Sequence, residues 1–446
     1  MQKIEIKKKE FKVITLPSGV KCVHRKIEGP VAYFSLTIGA GTRNESEKQH
    51  GVAHLVEHLL FKGTKNFRSY YINSALDSVG GELNAFTSKE ETVLHATCAV
   101  QYALKGAKLL CDMAFNSLFD TKEIEKEKEV VIDEINSYKD TPSELIFDEF
   151  EELLFAGSSL GRNILGDKRS VKKVKREDLV NYCSVNYLPE NMVFAMYSPL
   201  GDKEFEKLCS KVFVDLPSKD MASCEGLDVE ASGVAEGVEK KVSAGGVVSA
   251  EADDKGDAAI PRVPMFDVVR KRRVAQCHIV MGGYAPSVFD EGRLAAALLI
   301  NIIGGPSALS RMNMILREKH ALTYNAEAAY CPFSDTGFFT LYYSCEASRM
   351  QRAEDLLLRE LKSFVDEELS RVKLAKYKKQ FAGQLLIANQ NSEGAMLATA
   401  KSLLVYGKVE HSDTVVDKIE AITAEDIRNV AREMFATDNL YKLSYI

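Results

Sequence analysis

The sequence predicts an α+β fold: two structurally related α/β sandwich domains, each a mixed, largely antiparallel sheet with helices, joined by a flexible acidic linker. Three observations carry this. A weak repeat runs through the chain, an alternating segment with a central turn opens it, and one long acidic stretch without aromatics divides it. The opening Glu10–Arg25 segment alternates around Pro17-Ser18-Gly19 and predicts a hairpin, hence antiparallel pairing. Val31–Gly39 then reads as a strand and Gly51–Phe61 as a helix. Leu83–Thr87 and Thr92–Cys98 read as two more strands, and a long amphipathic helix lies near 100–118. The same order returns later: strand Val274–Gly282, helix Arg293–Ile303, strands Tyr324–Ala328 and Gly337–Tyr343, and a helix near 349–366. Between the halves, Ser218–Ile260 is rich in Ala, Gly, Ser and Val and carries ten acidic residues against four lysines. Such a composition buries too little surface to offset the entropy of ordering it, which predicts a linker. The expected domains are therefore 1–217 and 266–446, with 218–265 between them.

Composition narrows the function. Among 446 residues, 46% are hydrophobic and 27% charged, as in ordinary globular proteins. The net charge of −6 argues against nucleic acid as a partner, and no apolar run approaches the length of a membrane span. The N-terminal residues are basic without a following apolar core, unlike a signal peptide. Nine cysteines, an odd number without paired spacing, suit reduced thiols. Together these predict a cytoplasmic protein.

The most specific chemistry lies in the first predicted helix, which reads His54-Leu55-Val56-Glu57-His58. Histidines at i and i+4 share one helix face, and Glu57 at i+3 from His54 lies beside whatever they hold. This H-x-x-E-H pattern inverts the H-E-x-x-H zinc signature, and a catalytic zinc takes such nitrogen and oxygen ligands. Val52, Leu55, Leu59 and Leu60 supply the apolar face, and Gly63-Thr64 the stop. The equivalent helix of the second half, Gly292–Ile300, has no such motif and reads as packing material.

A third ligand is sought on the acidic helix 120–135. Asp120 and Glu123 form a capping-box pattern, and Ile124, Val131 and Ile135 a buried stripe. Glu127 and Glu134 are two turns apart and share one side. Most charges on this helix suit a solvated face with Glu–Lys pairs, but Glu134 falls beside Val131 and Ile135, where a carboxylate needs a partner. A metal is one such partner.

The sequence resembles the pitrilysin/insulinase family of zinc peptidases, most closely its mitochondrial processing peptidase-like branch of half-length chains. The matching residues are His54-x-x-Glu57-His58, Gly63-Thr64 after Phe61-Lys62, Asn84-Ala85-Phe86-Thr87, and Glu134, followed by Gly304-Gly305, Leu316-Arg317-Glu318-Lys319 and Leu322-Thr323-Tyr324. The resemblance implies two related α+β domains and one Zn²⁺ per chain on His54, His58 and Glu134. It also implies Glu57 as general base and Glu127 as a supporting carboxylate. A peptide or unfolded protein segment would add as a strand along Asn84, Ala85 and Phe86, with Gly80-Gly81 allowing close backbone approach. Arg317 and Tyr324, spaced like the family's arginine–tyrosine pair, would contact substrate from the domain opposite the metal. In a two-domain chain that implies a homodimer, or a heterodimer with a related chain. The acidic insert looks longer than the family's usual linker. The rival expectation is a non-catalytic, peptide-binding subunit that kept the fold.

Overall fold

A computed structural model describes residues 11–46, 49–216, 260 and 262–446. In the first half the strands are β1 Phe11–Thr15, β2 Lys21–Lys26, β3 Val31–Ile38, β4 Glu82–Thr87, β5 Thr92–Ala99 and β6 Met192–Ser198. Its helices are α1 Val52–Leu60, α2 Ser69–Ser74, α3 Ala103–Asn116, α4 Thr121–Lys139, α5 Pro142–Leu154, α6 Lys168–Lys173, α7 Arg176–Asn186 and α8 Asp202–Val212. The second half contributes β7 Asp267–Arg270, β8 Cys277–Ala285, β9 Thr323–Pro332, β10 Gly337–Cys345 and β11 Tyr441–Tyr445. With them come α9 Arg293–Gly304, α10 Met350–Asp366, α11 Arg371–Ala388, α12 Ser392–Tyr406, α13 Ser412–Ala421 and α14 Ala424–Met434.

The expected hairpin is present, with Thr15 opposite Lys21 and Gly19 at φ 97° in the turn, where a side chain would be strained. The repeat is a repeat of topology. The first sheet runs β1-β2-β6-β3-β5-β4 and the second β7-β11-β8-β10-β9. Omitting β1, the orders correspond strand for strand. Each sheet has one parallel pair at the same place, β2 with β6 and β7 with β11, and antiparallel pairing elsewhere. Both are mixed and largely antiparallel, as expected. The inserted stretch lies outside the described residues, apart from Ile260 and residues 262–265.

The central strands are buried on both faces, so each sheet needs cover on both sides. In β6, Met192, Phe194 and Met196 enter the core shared with α1, α3, α4 and α8, while Val193, Ala195 and Tyr197 enter another. That second face is covered by Ala395, Met396, Ala400, Leu403 and Leu404 of α12, a helix from the other half of the chain. The exchange is reciprocal. Helix α5, from the first half, lays Ile146, Phe150 and Leu154 on Val280, Tyr342 and Leu443 of the second sheet. Truncating Phe150, which is fully buried and 5.8 Å from the Phe266 ring, is expected to cost about 3–5 kcal/mol in equilibrium denaturation. A loss under 1 kcal/mol would show that α5 is not integral to the second sheet's core.

Candidate metal centre

Helix α1 can start where it does because Gly51 is a glycine. Its φ is 85°, and a Cβ there would lie 2.7 Å from the Leu165 carbonyl oxygen. From that start, Val52, Leu55, Val56, Leu59 and Leu60 turn into the core beneath the first sheet. His54, Glu57 and His58 are left along the flank that α4 meets. Helix α4 begins at Asp120, whose carboxylate accepts from the backbone of Lys122 at 2.8 Å. The reciprocal half of the expected capping box does not form: Glu123 instead accepts from Lys126 Nζ at 2.6 Å. Ile124, Val131 and Ile135 are buried as the stripe predicts, and packing this stripe beside α1 brings both glutamates to the histidines.

His54 Nε2 is 3.8 Å from Glu134 Oε2, and His58 Nε2 is 3.7 Å from the same oxygen. The three ligand atoms lie within 4.8 Å of one another, and no other such cluster of metal-ligating side chains occurs among the described residues. Tetrahedral ligands at zinc bond lengths sit about 3.5 Å apart, so this donor set fits that ion with little movement. Its electrostatics agree. Burial, and then the neighbouring His58, pushes His54 down to about 3, which keeps it neutral with a lone pair to offer.

Glu127 is buried beside His58, with Oε2 3.2 Å from His58 Nδ1 and Oε1 2.8 Å from Lys62 Nζ. It orients the ring of His58 through the nitrogen facing away from Glu134. His54 has no such support: among the described residues no hydrogen bond reaches its buried Nδ1. Burial pushes the Glu57 carboxyl above the ordinary glutamate range, while Thr87 and His58 pull it back and Glu134 pushes it further up. The Thr87 hydroxyl near it is buried without a well-formed hydrogen bond.

Strand β4 packs beside α1 and, among the described residues, is the edge of its sheet, paired only with β5. Its burial alternates, with Asn84 and Phe86 exposed and Ala85 half-buried against the core. Asn84 is a mid-strand residue. The preceding glycines serve the fold: Gly80 has φ 74°, and a Cβ on Gly81 would sit 2.8 Å from the Thr97 carbonyl oxygen. That close approach is to β5. Arg317 and Tyr324 lie on the second half and are not among the clustered ligand atoms. Arg317 projects from a π-helical turn over Asn313–Lys319, and Tyr324, 84% exposed, begins edge strand β9. Between them Ala321 has φ 47°. A π-helical turn beside a strained non-glycine residue is a combination that collects at functional sites.

The sequence reading gave no role to Lys62, Thr87 or Glu45. Lys62 lies at i+4 from His58, so helical spacing placed it on the motif's own stripe. Thr87 closes the matched Asn84-Ala85-Phe86-Thr87 motif, whereas Glu45 carries no comparable signal.

A helix-borne pair of histidines and a glutamate from a neighbouring helix, with a carboxylate between the histidines, form a group that could hold a metal ion. The chain belongs to the insulinase family, peptidase family M16: the family's profile matches residues 22–168, and that of the peptidase M16 inactive domain matches residues 173–381. The chain is similar to the uncharacterized zinc protease YmxG of Bacillus subtilis, at 28% identity over 92% of this chain and 91% of that one. An uncharacterized zinc protease of Streptomyces coelicolor is 27% identical over 94% of this chain and 86% of its own. In fold, it superimposes on a protease from Helicobacter pylori with TM-score 0.81 at 17% identity, covering 98% of this chain and all of the other. The peptidase M16 inactive domain structure from Pseudomonas fluorescens gives TM-score 0.81 at 16% identity, over 98% and 97% of the two chains. No helix among the described residues is long and apolar enough to cross a membrane.

Proposed function

We propose that this chain is a cytoplasmic zinc-dependent endopeptidase that cleaves peptides or unfolded protein segments held as an added strand on β4. The observation that carries the proposal is the meeting of His54 Nε2, His58 Nε2 and Glu134 Oε2 beside Glu57, next to a free sheet edge. Domain 1–217 holds one Zn²⁺ through His54, His58 and Glu134, and 266–446 is the metal-free partner domain. Zinc, when bound, supplies Lewis acidity toward the scissile carbonyl and acidifies water. Glu57 takes the proton that the attacking water gives up and returns it to the leaving amine. Glu127 holds the His58 ring in place through Nδ1. The free backbone edge at Asn84, Ala85 and Phe86 binds extended peptide with little regard to its side chains.

Exposed Arg317 and Tyr324 reach substrate in a second copy of the chain, which makes the enzyme a homodimer. The exposure of Tyr324 and the strained turn before it support this assignment. Incubating the protein with unstructured peptides, with and without a chelator, and reading the products by mass spectrometry tests the activity: internal cleavage that the chelator abolishes is expected. The dimer has its own test. Tyr324→Phe removes a hydrogen-bond donor to the developing oxyanion and should cost about 10²–10³ in rate. Mixing inactive Glu57→Gln chains with Tyr324→Phe chains should restore one competent site per mixed dimer. Subunit exchange without recovery of activity would rule out contribution in trans.

A further inference from the structure

Helix α1 begins without a cap of its own. Its N-cap is Gly51, which has no side chain to offer the first-turn amides. Those amides are met from six residues upstream. Glu45 Oε2 accepts from the Gly51 backbone at 3.1 Å and Oε1 from Ala53 at 2.8 Å, with the side chain only 5% exposed. Its charge lies at the positive end of the helix dipole. Burial pushes this carboxyl up to about 7, against the pull of the Ala53, Gly51 and Val52 amides and Arg162.

The loop that carries Glu45 is itself held. Arg162 donates to the Glu45 carbonyl and, at 3.3 Å, to that of Ser46, while Lys89 Nζ donates to the Arg162 carbonyl at 2.5 Å. Two residues before Glu45, Arg43 pairs with Glu90 at 2.6 Å and with Asp335 at 2.8 Å, in the β9–β10 turn of the second half.

Ala53 immediately precedes His54, so this cap fixes the backbone from which His54 reaches toward Glu134. The two histidines differ in this respect. His58 is oriented through its ring by Glu127, whereas His54 has a buried Nδ1 with no hydrogen bond among the described residues. Its place depends on the first turn of α1. We infer that Glu45 is a positioning residue for His54, supplying from the preceding loop the cap that Gly51 lacks and so setting the geometry of the metal ligands. This rests on the reading of His54, His58 and Glu134 as zinc ligands.

The test uses the full chain with Glu45→Ala, Glu45→Gln and, at the other end of α1, Thr64→Val. Thr64 donates to buried Asp112 and accepts from the Phe67 backbone at 2.9 Å, so its loss loosens the helix exit without touching the first turn. Zinc affinity is measured by competition with a chromogenic chelator, and amide exchange at Gly51 and Ala53 on the metal-free protein. Glu45→Ala is expected to weaken zinc binding about 10–100-fold and to lose protection at both amides. Glu45→Gln, which keeps one acceptor oxygen, should fall between it and wild type. Thr64→Val should lower the melting temperature with zinc affinity unchanged. If Glu45→Ala does not fold, the Gln variant is read in its place. Equal loss of affinity in the Glu45 and Thr64 variants, or unprotected amides with unchanged affinity, overturns the positioning role. A wild-type chain that takes up no zinc overturns the ligand assignment on which the inference rests, while the exchange data still report the cap.

Discussion

Glu57→Gln is expected to leave the chain folded and able to bind zinc and peptide, while turnover falls about 10²–10⁴-fold. The substitution preserves shape and removes only the capacity to accept a proton. The surroundings of this carboxylate suit it to proton transfer. It is half-buried, beside Thr87 and between the two histidines in sequence, and burial raises its proton affinity. A single-turnover assay on a peptide identified as a substrate, with zinc content measured on the same preparation, separates the effects. Activity within tenfold of wild type at full metal occupancy would remove Glu57 from the role of base.

Substituting the ligands should act earlier, at metal uptake. His58→Ala and Glu134→Gln each remove one of three converging atoms, and both proteins should emerge from gel filtration without stoichiometric zinc. Glu127→Gln tests the distinction between holding the metal and holding its ligand. It keeps one oxygen for His58 or Lys62 but loses the charge that both face at 3.2 and 2.8 Å, so metal affinity or activity should fall about 10–100-fold. Zinc retention in Glu134→Gln at the wild-type level would mean that Glu134 is no ligand. Wild-type affinity and activity in Glu127→Gln would return that residue to the charged face of α4.

Features governed by short-range rules were legible in the chain. Alternation and turn residues placed β1–β2, and the repeat placed β3 with β8, β5 with β10 and α1 with α9. The i, i+4 histidines and the stripe on α4 pointed to the cluster that the fold assembles. Features that depend on which surfaces meet were not legible. The apolar residues of α12 announce a buried face, yet nothing in Ala395, Met396, Ala400 and Leu403 says that it covers the opposite half's sheet. Glu45 lies in an irregular loop, where no periodicity marks a carboxylate that will cap a helix six residues on. The π-helical turn under Arg317 has no residue signature either, because the additional residue in its hydrogen-bonded ring is a choice of the backbone. The role assigned to residues 218–259 lies outside the described residues.

The crossing of α5 and α12 constrains how this molecule can move. Two-domain proteins commonly admit ligand by swinging apart about a connecting segment. Here such a swing would drag Phe150 and Leu154 off one sheet and Met396 and Leu403 off the other, stripping two apolar cores at once. The two halves are laced together by these helices, and a hinge between them would have to break both packings. If two copies pair as proposed, the freedom to admit a polypeptide would lie at the boundary between them and not within either chain.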